Sequence, residues 1–415
     1  MSEKVGLLTF HWAPHVGAYL QTYALYNILR SFNFDVTVIN FLPKLCTIVK
    51  PTTNLRDLLL KYHYIVSGEG SLSNTIRGIA GEILTQPFYL VFERRKKTIY
   101  ETYTALMKLS KRILSLCELR DIVNTFDVVI VGSDQVWNPL YLRYSDYAYL
   151  IPFRLKNTRK IAYATSFGID YLDSIPSHLL SMYKVWLRDF EAISLREQSD
   201  VAFLSKLIGR EITHTLDPTL LLNSEWWSIH GVPPDVPSLD NIADYVFVYN
   251  LTYDMIRLIE PLLNKLRGKG LAILAYYAPR PFPLKQGMKD ILHLVKIHNK
   301  LGVTFVEYIS PFEFLWLVKN AKYIITNSYH GTIFSILFEK DFVAIPFQKK
   351  SKRIFDLLNL LGLEKRAVRA FRDIDKLLRI LMEKVDYDPV MEKLEFYRFR
   401  SLNFLSLALL GERYA

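Results

Sequence analysis

VGLLTFHWAPHVGAYLQTYALYNILRSFNFDVTVINF, Val5–Phe41, sets the fold class. The apolar run Val5–Phe10 suits a strand buried on both faces. Gly17–Phe32 carries Leu20, Ala24, Leu25, Ile28 and Leu29 at helical spacing, and Val36–Phe41 is a second run rich in β-branched residues. Strand, helix and strand in so short a span form the opening unit of a doubly wound α/β domain. Strand-like runs recur at Asp127–Val131, Lys160–Ser166, Ala192–Leu195 and Thr213–Leu216. Each precedes a turn and a helix-like stretch, which predicts a parallel sheet with crossovers.

The rhythm restarts after GVPPDVPSLDN, Gly231–Asn241, whose three prolines mark a linker. Tyr245–Asn250, Leu271–Tyr276, Gly302–Glu307, Tyr323–Thr326 and Phe342–Pro346 read as strands. Met255–Arg267, Pro311–Lys319 and Tyr329–Phe338 read as helices. The expected fold is α/β, with two Rossmann-like domains facing across a cleft. Residues 1–230 form the first domain, with an irregular helical insertion at about 44–120. Residues 231–241 are the linker, 242–375 the second domain, and 376–415 a helical C-terminal segment that can pack back across the first. Ligands in such folds sit at the carboxyl ends of the strands.

Composition narrows the function classes. Half of the 415 residues are apolar and 22% are charged, which excludes intrinsic disorder. Cys46 and Cys117 cannot build a disulfide framework and have no CxxC partner, so a reducing compartment is expected. MSEKVGLLTF lacks the long apolar region and cleavage site of a secretory signal, and no run reaches the length of a spanning helix. The expected location is the cytoplasm. The net charge of +11 fits nucleic acid, an anionic membrane surface or an anionic substrate. Basic residues cluster only briefly, at Arg94–Lys97 and Lys349–Arg353, in an otherwise mixed sequence with no nucleic-acid motif, so no nucleic-acid partner is expected. Arg94–Lys97 beside the apolar stretch Ile83–Phe92 suggests peripheral association with the inner face of the cell membrane.

Five motifs bear polar residues at strand ends. In VVIVGSDQVWNP, Val128–Pro139, Ser133 and Asp134 end a buried strand, where Asp134 can orient a sugar hydroxyl or act as a base. The plainer alternative is an N-cap. In ISLREQS, Arg196 directly follows a strand and can fork onto a carboxylate or phosphate, or pair on the surface with Glu197 or Glu191. In ITNSYHGTIFSILFEKDFVAIPF, Asn327 and Ser328 precede His330, which falls near a helix N-terminus. Such termini favour anions, and a histidine there can exchange protons near neutral pH, although a lone histidine is more often structural. In KKSKRIFDLLNLLGL, Lys349, Lys350, Lys352 and Arg353 add positive potential or form a solvated face. In HWAPHVGAYLQTYAL, His11 and His15 have the spacing of a metal pair but no further ligand set, and no metal is expected. This stretch matches neither GxGxxG nor a P-loop.

Together these motifs resemble the polysaccharide pyruvyl transferase family. The matching pieces are VGAYLQTYAL, VVIVGSDQVWNP, ATSFG at Ala164–Gly168, SLREQS, LDPTLLL at Leu216–Leu222, the run SPFEFLWLVKNAKYIITNSYHGTIFSILFEKDFVAI from Ser310, and SKRIFDLLNLLGLEKR. Residues 44–120 match poorly. The resemblance implies an architecture similar to the GT-B glycosyltransferases. It also implies transfer of pyruvate from phosphoenolpyruvate to two hydroxyls of a sugar, giving a cyclic ketal and free phosphate. Phosphoenolpyruvate is then a donor substrate, no cofactor is needed, and the acceptor is a glycan or lipid-linked sugar. The resemblance points to His330 as the acid/base and Arg196 as a donor ligand. Asp134 joins His330 in the expected catalytic set, and Ser328, Asn327, Lys352, Arg353, Ser133 and Gly17 join Arg196 in the substrate-binding set. One position departs: many members carry Arg two residues before the histidine, where this chain has Ser328. The phosphate cation is then expected from Lys352 or Arg353. Two other classes compete: a GT-B glycosyltransferase using a nucleotide sugar, and a non-catalytic protein binding anionic glycans or membrane surfaces.

Overall fold

Two parallel sheets carry the chain. The computed structural model describes residues 2–42, 98–142, 145, 147–235, 244–249, 253–276, 295–306, 308–346, 352–369 and 373–411. The first sheet contains β1 (Lys4–Leu8), β2 (Asp35–Val38), β3 (Val128–Val131), β4 (Arg159–Thr165), β5 (Ala192–Leu195) and β6 (Thr213–His214), in the order β2-β1-β3-β4-β5-β6. The second contains β7 (Tyr245–Tyr249), β8 (Ala272–Tyr276), β9 (Val303–Val306), β10 (Tyr323–Thr326) and β11 (Asp341–Ala344), in the order β11-β10-β7-β8-β9. Every pairing is parallel. The continuous apolar runs follow from this, since helices cover both faces and β3 and β7 are buried throughout.

The helices used below are α1 (Val16–Ser31), α2 (Leu116–Val123), α3 (Ser177–Leu187), α4 (Gln198–Ile208), α5 (Tyr253–Gly268), α6 (Pro311–Asn320), α7 (Tyr329–Leu337), α8 (Lys352–Leu361), α9 (Ile374–Met382) and α10 (Asp388–Leu410). Their starts are written locally. Ser115 with Glu118 and Ser310 with Glu313 form capping boxes on α2 and α6, and Pro311 occupies the first turn of α6. One apolar core runs through both halves, with Leu7 and Tyr163 from the first sheet in the same cluster as Phe247, Phe314 and Phe334. α10 crosses back to the first sheet. Arg398 Nε donates to the Leu220 carbonyl, Ser401 Oγ accepts the Leu216 N–H, and Arg159 donates to the Ala408 carbonyl.

The sequence runs Val5–Phe10 and Thr213–Leu216 are longer than the strands they form. Thr9 leaves the sheet to donate its hydroxyl to the Ser133 carbonyl, and Leu216 gives its N–H to Ser401 instead of the ladder. The part of the 44–120 insertion up to residue 97 lies outside the described residues, and so do Ile83–Phe92, Arg94–Lys97, Cys46, Lys349, Lys350 and linker residues 236–241.

Strand order fixes where a ligand can sit. In the first sheet the chain goes from β1 outward to β2, then crosses back to β3, so β1 and β3 flank a switch point. In the second, β7 and β10 flank the corresponding point. Side chains tie both switch points: Thr9 Oγ1 to Ser133 O at 3.1 Å, and Thr326 Oγ1 to Tyr249 O at 3.0 Å. At the first, Gly132 has φ +118°, and a Cβ there would lie 2.2 Å from the Tyr163 carbonyl oxygen. Gly132→Ala should therefore cost about 2–4 kcal/mol, from a strained backbone and an overfilled contact. Urea unfolding checks this: an unchanged midpoint would show that the turn has room to relax.

Candidate functional site

Two helix N-termini meet over one histidine. α7 starts right after β10, with Ser328 as its N-cap: Ser328 Oγ accepts the Gly331 N–H at 3.2 Å. His330 is therefore in the first turn. α1 starts after β1, and Gly17 lies directly against the imidazole. A Cβ on Gly17 would be 2.0 Å from His330 Nδ1, so only glycine lets the ring take this position. His330 is buried, and its Nε2 has no hydrogen-bond partner among the described residues. The nearest acidic oxygen is Asp217 Oδ2 at 3.7 Å, beyond hydrogen-bond range but within ion-pair range.

Asp217 connects the two halves of the site. It lies between β6 and the 3₁₀ turn Pro218–Leu221, and it is fully buried. Oδ1 accepts from the N–H and hydroxyl of Thr219 at 3.0 and 2.7 Å, and Oδ2 accepts from Arg196 NH1 at 2.8 Å. Burial pushes this carboxyl up, but His330 and Arg196 outweigh it and hold it well below the usual carboxylate range.

Arg196 is not a surface residue. Its side chain is 1% exposed, and its nitrogens reach Asp217, Glu197 Oε1 at 3.2 Å and Asp134 Oδ1 at 3.4 Å. The guanidinium also lies 4.4 Å over the Tyr329 ring. Of the expected partners Glu197 is present, but the pair is internal and Asp217 and Asp134 complete it. The fork of Arg196 is thus directed at protein carboxylates. Glu197 Oε1 also accepts from Ser166 Oγ at 2.9 Å, and its Oε2 has no hydrogen-bond partner among the described residues.

The other expected residues divide. Asp134, in a left-handed conformation after β3, faces Arg196, His330 and Arg353. Burial pushes its carboxyl up, and the electrostatic pull of Arg196, then His330 and Arg353, brings it below its ordinary value. Arg353, in the first turn of α8, lies 5.5 Å over the Tyr329 ring, and its Nε has no hydrogen-bond partner among the described residues. Burial, and then Arg196 nearby, lower its pKa. Asn327 donates to Met255 Sδ at 3.2 Å, while its Oδ1 is unpartnered among the described residues. Ser133 is buried, with Oγ donating to the Ala164 carbonyl at 2.8 Å. Lys352 pairs through Nζ with Asp200, a carboxyl that burial and Glu197 push up to about 7 against the pull of Lys352.

His11 and His15 do not converge. His11 is hydrogen-bonded to the Thr9 carbonyl and Asn40 Oδ1, and His15 caps α1 by accepting the Gly17 N–H. Among the described residues no group of three or more His, Cys, Asp or Glu is placed to hold a metal ion. Sequence reasoning missed Asp217, Glu197, Tyr329 and Asp200 as site residues. Asp217 stood in the LDPTLLL motif, but an Asp before Pro reads as a turn cap, which it also is.

Arg196 is the charge shared by three carboxylates, of which Asp217 and Glu197 are buried. Arg196→Ala should lower stability by about 3–5 kcal/mol, because it leaves those acids without their cation. Arg196→Lys should recover only part, since an ammonium cannot reach all three. Denaturant midpoints of the two variants check this. An Arg196→Ala protein as stable as its parent would contradict it.

Comparison with known proteins places this geometry. The family model of polysaccharide pyruvyl transferase matches residues 15–348. No curated protein matches the chain. Similar solved structures include the UDP-GlcNAc 2-epimerase of Methanocaldococcus jannaschii, at 13% identity and TM-score 0.53 over 97% of this chain and 99% of that one. Anabaena Alr3699/HepE in complex with UDP gives 9% identity and TM-score 0.52 over 98% of each chain. S. aureus MnaA with UDP gives 10% and 0.51 over 100% of each. At these identities the likeness is one of fold, and the fold is the two-domain α/β arrangement of GT-B proteins. The family match covers every strand except β1 and includes His330, Asp217 and Arg196, and the chain belongs to the polysaccharide pyruvyl transferase family.

Proposed function

We propose that the protein transfers pyruvate from phosphoenolpyruvate to two hydroxyls of a sugar in a glycan, forming a cyclic ketal and releasing phosphate. The observation that carries this reading is the imidazole of His330: buried, unpartnered at Nε2, and set at a helix N-terminus beside Asp217. Its surroundings suit an anionic substrate that must be protonated on carbon. The helix terminus favours anions, and Arg353 Nε is a buried donor without a protein acceptor among the described residues.

In this reading His330 gives its proton to the methylene carbon of phosphoenolpyruvate. Positive charge develops at the adjacent carbon, and a sugar hydroxyl attacks it. Asp217 is placed to neutralise the imidazolium that carries the proton, and Asp134 lies within the same charge network to orient the attacking hydroxyl and take its proton. The carbon–oxygen bond to phosphate then breaks. The second hydroxyl closes the ketal, and its proton leaves with phosphate. Arg353 receives the donor's anionic groups in place of the family arginine, while Arg196 holds the carboxylates in position. Asn327, Ser328, Ser133 and Gly17 shape the walls. The donor is a substrate, and these steps call for no cofactor. The glycan or lipid-linked acceptor and the basic surface suit work at the cytoplasmic face of a membrane. Among the described residues no helix is long and apolar enough to cross one.

Incubation with phosphoenolpyruvate and a panel of lipid-linked and polymeric sugars tests the reaction. Phosphate release with a mass gain of one carboxyethylidene group is expected. Nucleotide diphosphate release from a nucleotide sugar, without phosphate from phosphoenolpyruvate, would point to a glycosyltransferase. Binding without turnover of any donor would point to a carbohydrate-binding role.

His330→Asn should keep the fold and lose about two to four orders of magnitude in turnover. Arg353→Met should raise KM for phosphoenolpyruvate about ten- to a hundredfold, the worth of one charge-assisted contact. Near-parental turnover by the first variant, per folded molecule, would remove His330 from the chemistry.

A further inference from the structure

Contacts at Lys352 and Asp356 tie the start of α8 to the half of the protein that carries the first sheet. The Lys352 N–H donates to Asp170 Oδ1 at 3.0 Å. Lys352 Nζ pairs with Asp200 on α4. Asp356 Oδ2 accepts from the Ser199 N–H at 3.3 Å and from the Ser199 hydroxyl. Arg353 lies inside this span. Its neighbour on one side is tied twice, and the residue one turn on is tied as well. With the backbone on both sides fixed, the guanidinium is delivered onto the face of Tyr329, in the charge network of Asp134 and Glu197.

We propose that the Lys352–Asp200 pair is an interdomain latch that positions Arg353, so that Lys352 is a positioning residue and not itself a ligand of the donor. This deepens the reading of Arg353 as the donor's cation and rests on it. Two features separate a latch from an incidental surface pair. Asp200 is 1% exposed and Lys352 21%, so the contact is largely withdrawn from solvent and only weakly screened. It also joins helices from opposite halves, α4 between β5 and β6 of the first sheet and α8 after β11 of the second. A ligand role for Lys352 would need its ammonium free. The structure gives that ammonium to Asp200, while the adjacent Arg353 keeps an unpartnered nitrogen among the described residues.

The two roles make opposite predictions for Asp200. If Lys352 bound donor, Asp200→Asn would release its ammonium and lower KM. If the pair is a latch, Asp200→Asn should act like Lys352→Met. The test uses the full chain at pH 8, where Asp200 is charged, with Asp200→Asn, Lys352→Met and the charge-keeping Lys352→Arg. Hydrogen exchange is followed over residues 352–361 and 198–208, and kcat and KM are measured with phosphoenolpyruvate. The expected result is faster exchange in the first turn of α8 in the Asn and Met variants. KM should rise about tenfold with kcat within about threefold, and Lys352→Arg should stay near the parent. Parental exchange in both breaking variants, or a lowered KM in Asp200→Asn, would overturn the latch, and so would faster exchange with KM unchanged. If the parent does not turn phosphoenolpyruvate over, the proposed donor falls. The exchange comparison then decides the latch alone: faster exchange in both breaking variants supports it, and unchanged exchange overturns it.

Discussion

The fully buried Asp217 carboxylate is the point on which the site depends. One oxygen is taken by Thr219, and the other lies between Arg196 NH1 and His330 Nε2. Each neighbour needs it. Without Asp217, the buried guanidinium of Arg196 would lose its shortest ion pair, and His330 would lose the acidic oxygen at 3.7 Å. A carboxylate held this far below its ordinary pKa stays charged through the range in which a histidine exchanges its proton. Asp217 comes from the half with the first sheet and His330 from the half with the second, so the pair exists only when the halves are together.

The assembly is close to charge balance, which explains why +11 overall does not produce a simple basic pocket. Asp134, Glu197, Asp217 and Asp200 face Arg196, Arg353 and Lys352, with His330 among them. A donor with a carboxylate and a phosphate would be repelled by such a site unless its cations were unequal in commitment. They are. Arg196 has three carboxylate partners and Lys352 has Asp200, whereas Arg353 Nε has no acceptor among the described residues. Affinity for an anion then depends on which cation has donors left, more than on net charge.

The strands of the fold were legible because each is a short apolar run, and parallel sheets covered on both faces are written that way. The position of His330 was legible too, since a strand running into polar residues and then an amphipathic helix puts it at the helix start, although the Ser328 cap was not read there. The network was not. Arg196 was read as a fork for a donor's carboxylate or phosphate, whereas two of its protein partners, Asp134 and Asp217, lie at sequence separations of 62 and 21 residues, and no local pattern states such pairings. Lys352 and Arg353 are adjacent in sequence and look interchangeable. Their roles separate only because one helical step turns one side chain toward Asp200 and the next toward Tyr329. Gly17 against the His330 ring is likewise visible only in three dimensions.

Ser328 shows how one substitution reshapes such a site. The family resemblance implies an arginine there in many members, but here the hydroxyl caps α7 through the Gly331 N–H. An arginine side chain could not make that bond, since it offers only donors. The chain thus has a well-capped helix at the His330 turn and no arginine at this position beside the imidazole. The structure restores positive charge from another direction, with the Tyr329 ring holding Arg196 at 4.4 Å and Arg353 at 5.5 Å. Two guanidiniums so close would repel in isolation. The aromatic ring and the carboxylates of Asp134 and Glu197 offset that repulsion. The residual repulsion gives Arg353 a reason to accept an external anion: a phosphate or carboxylate placed there would relieve a like-charge contact as well as fill an empty donor.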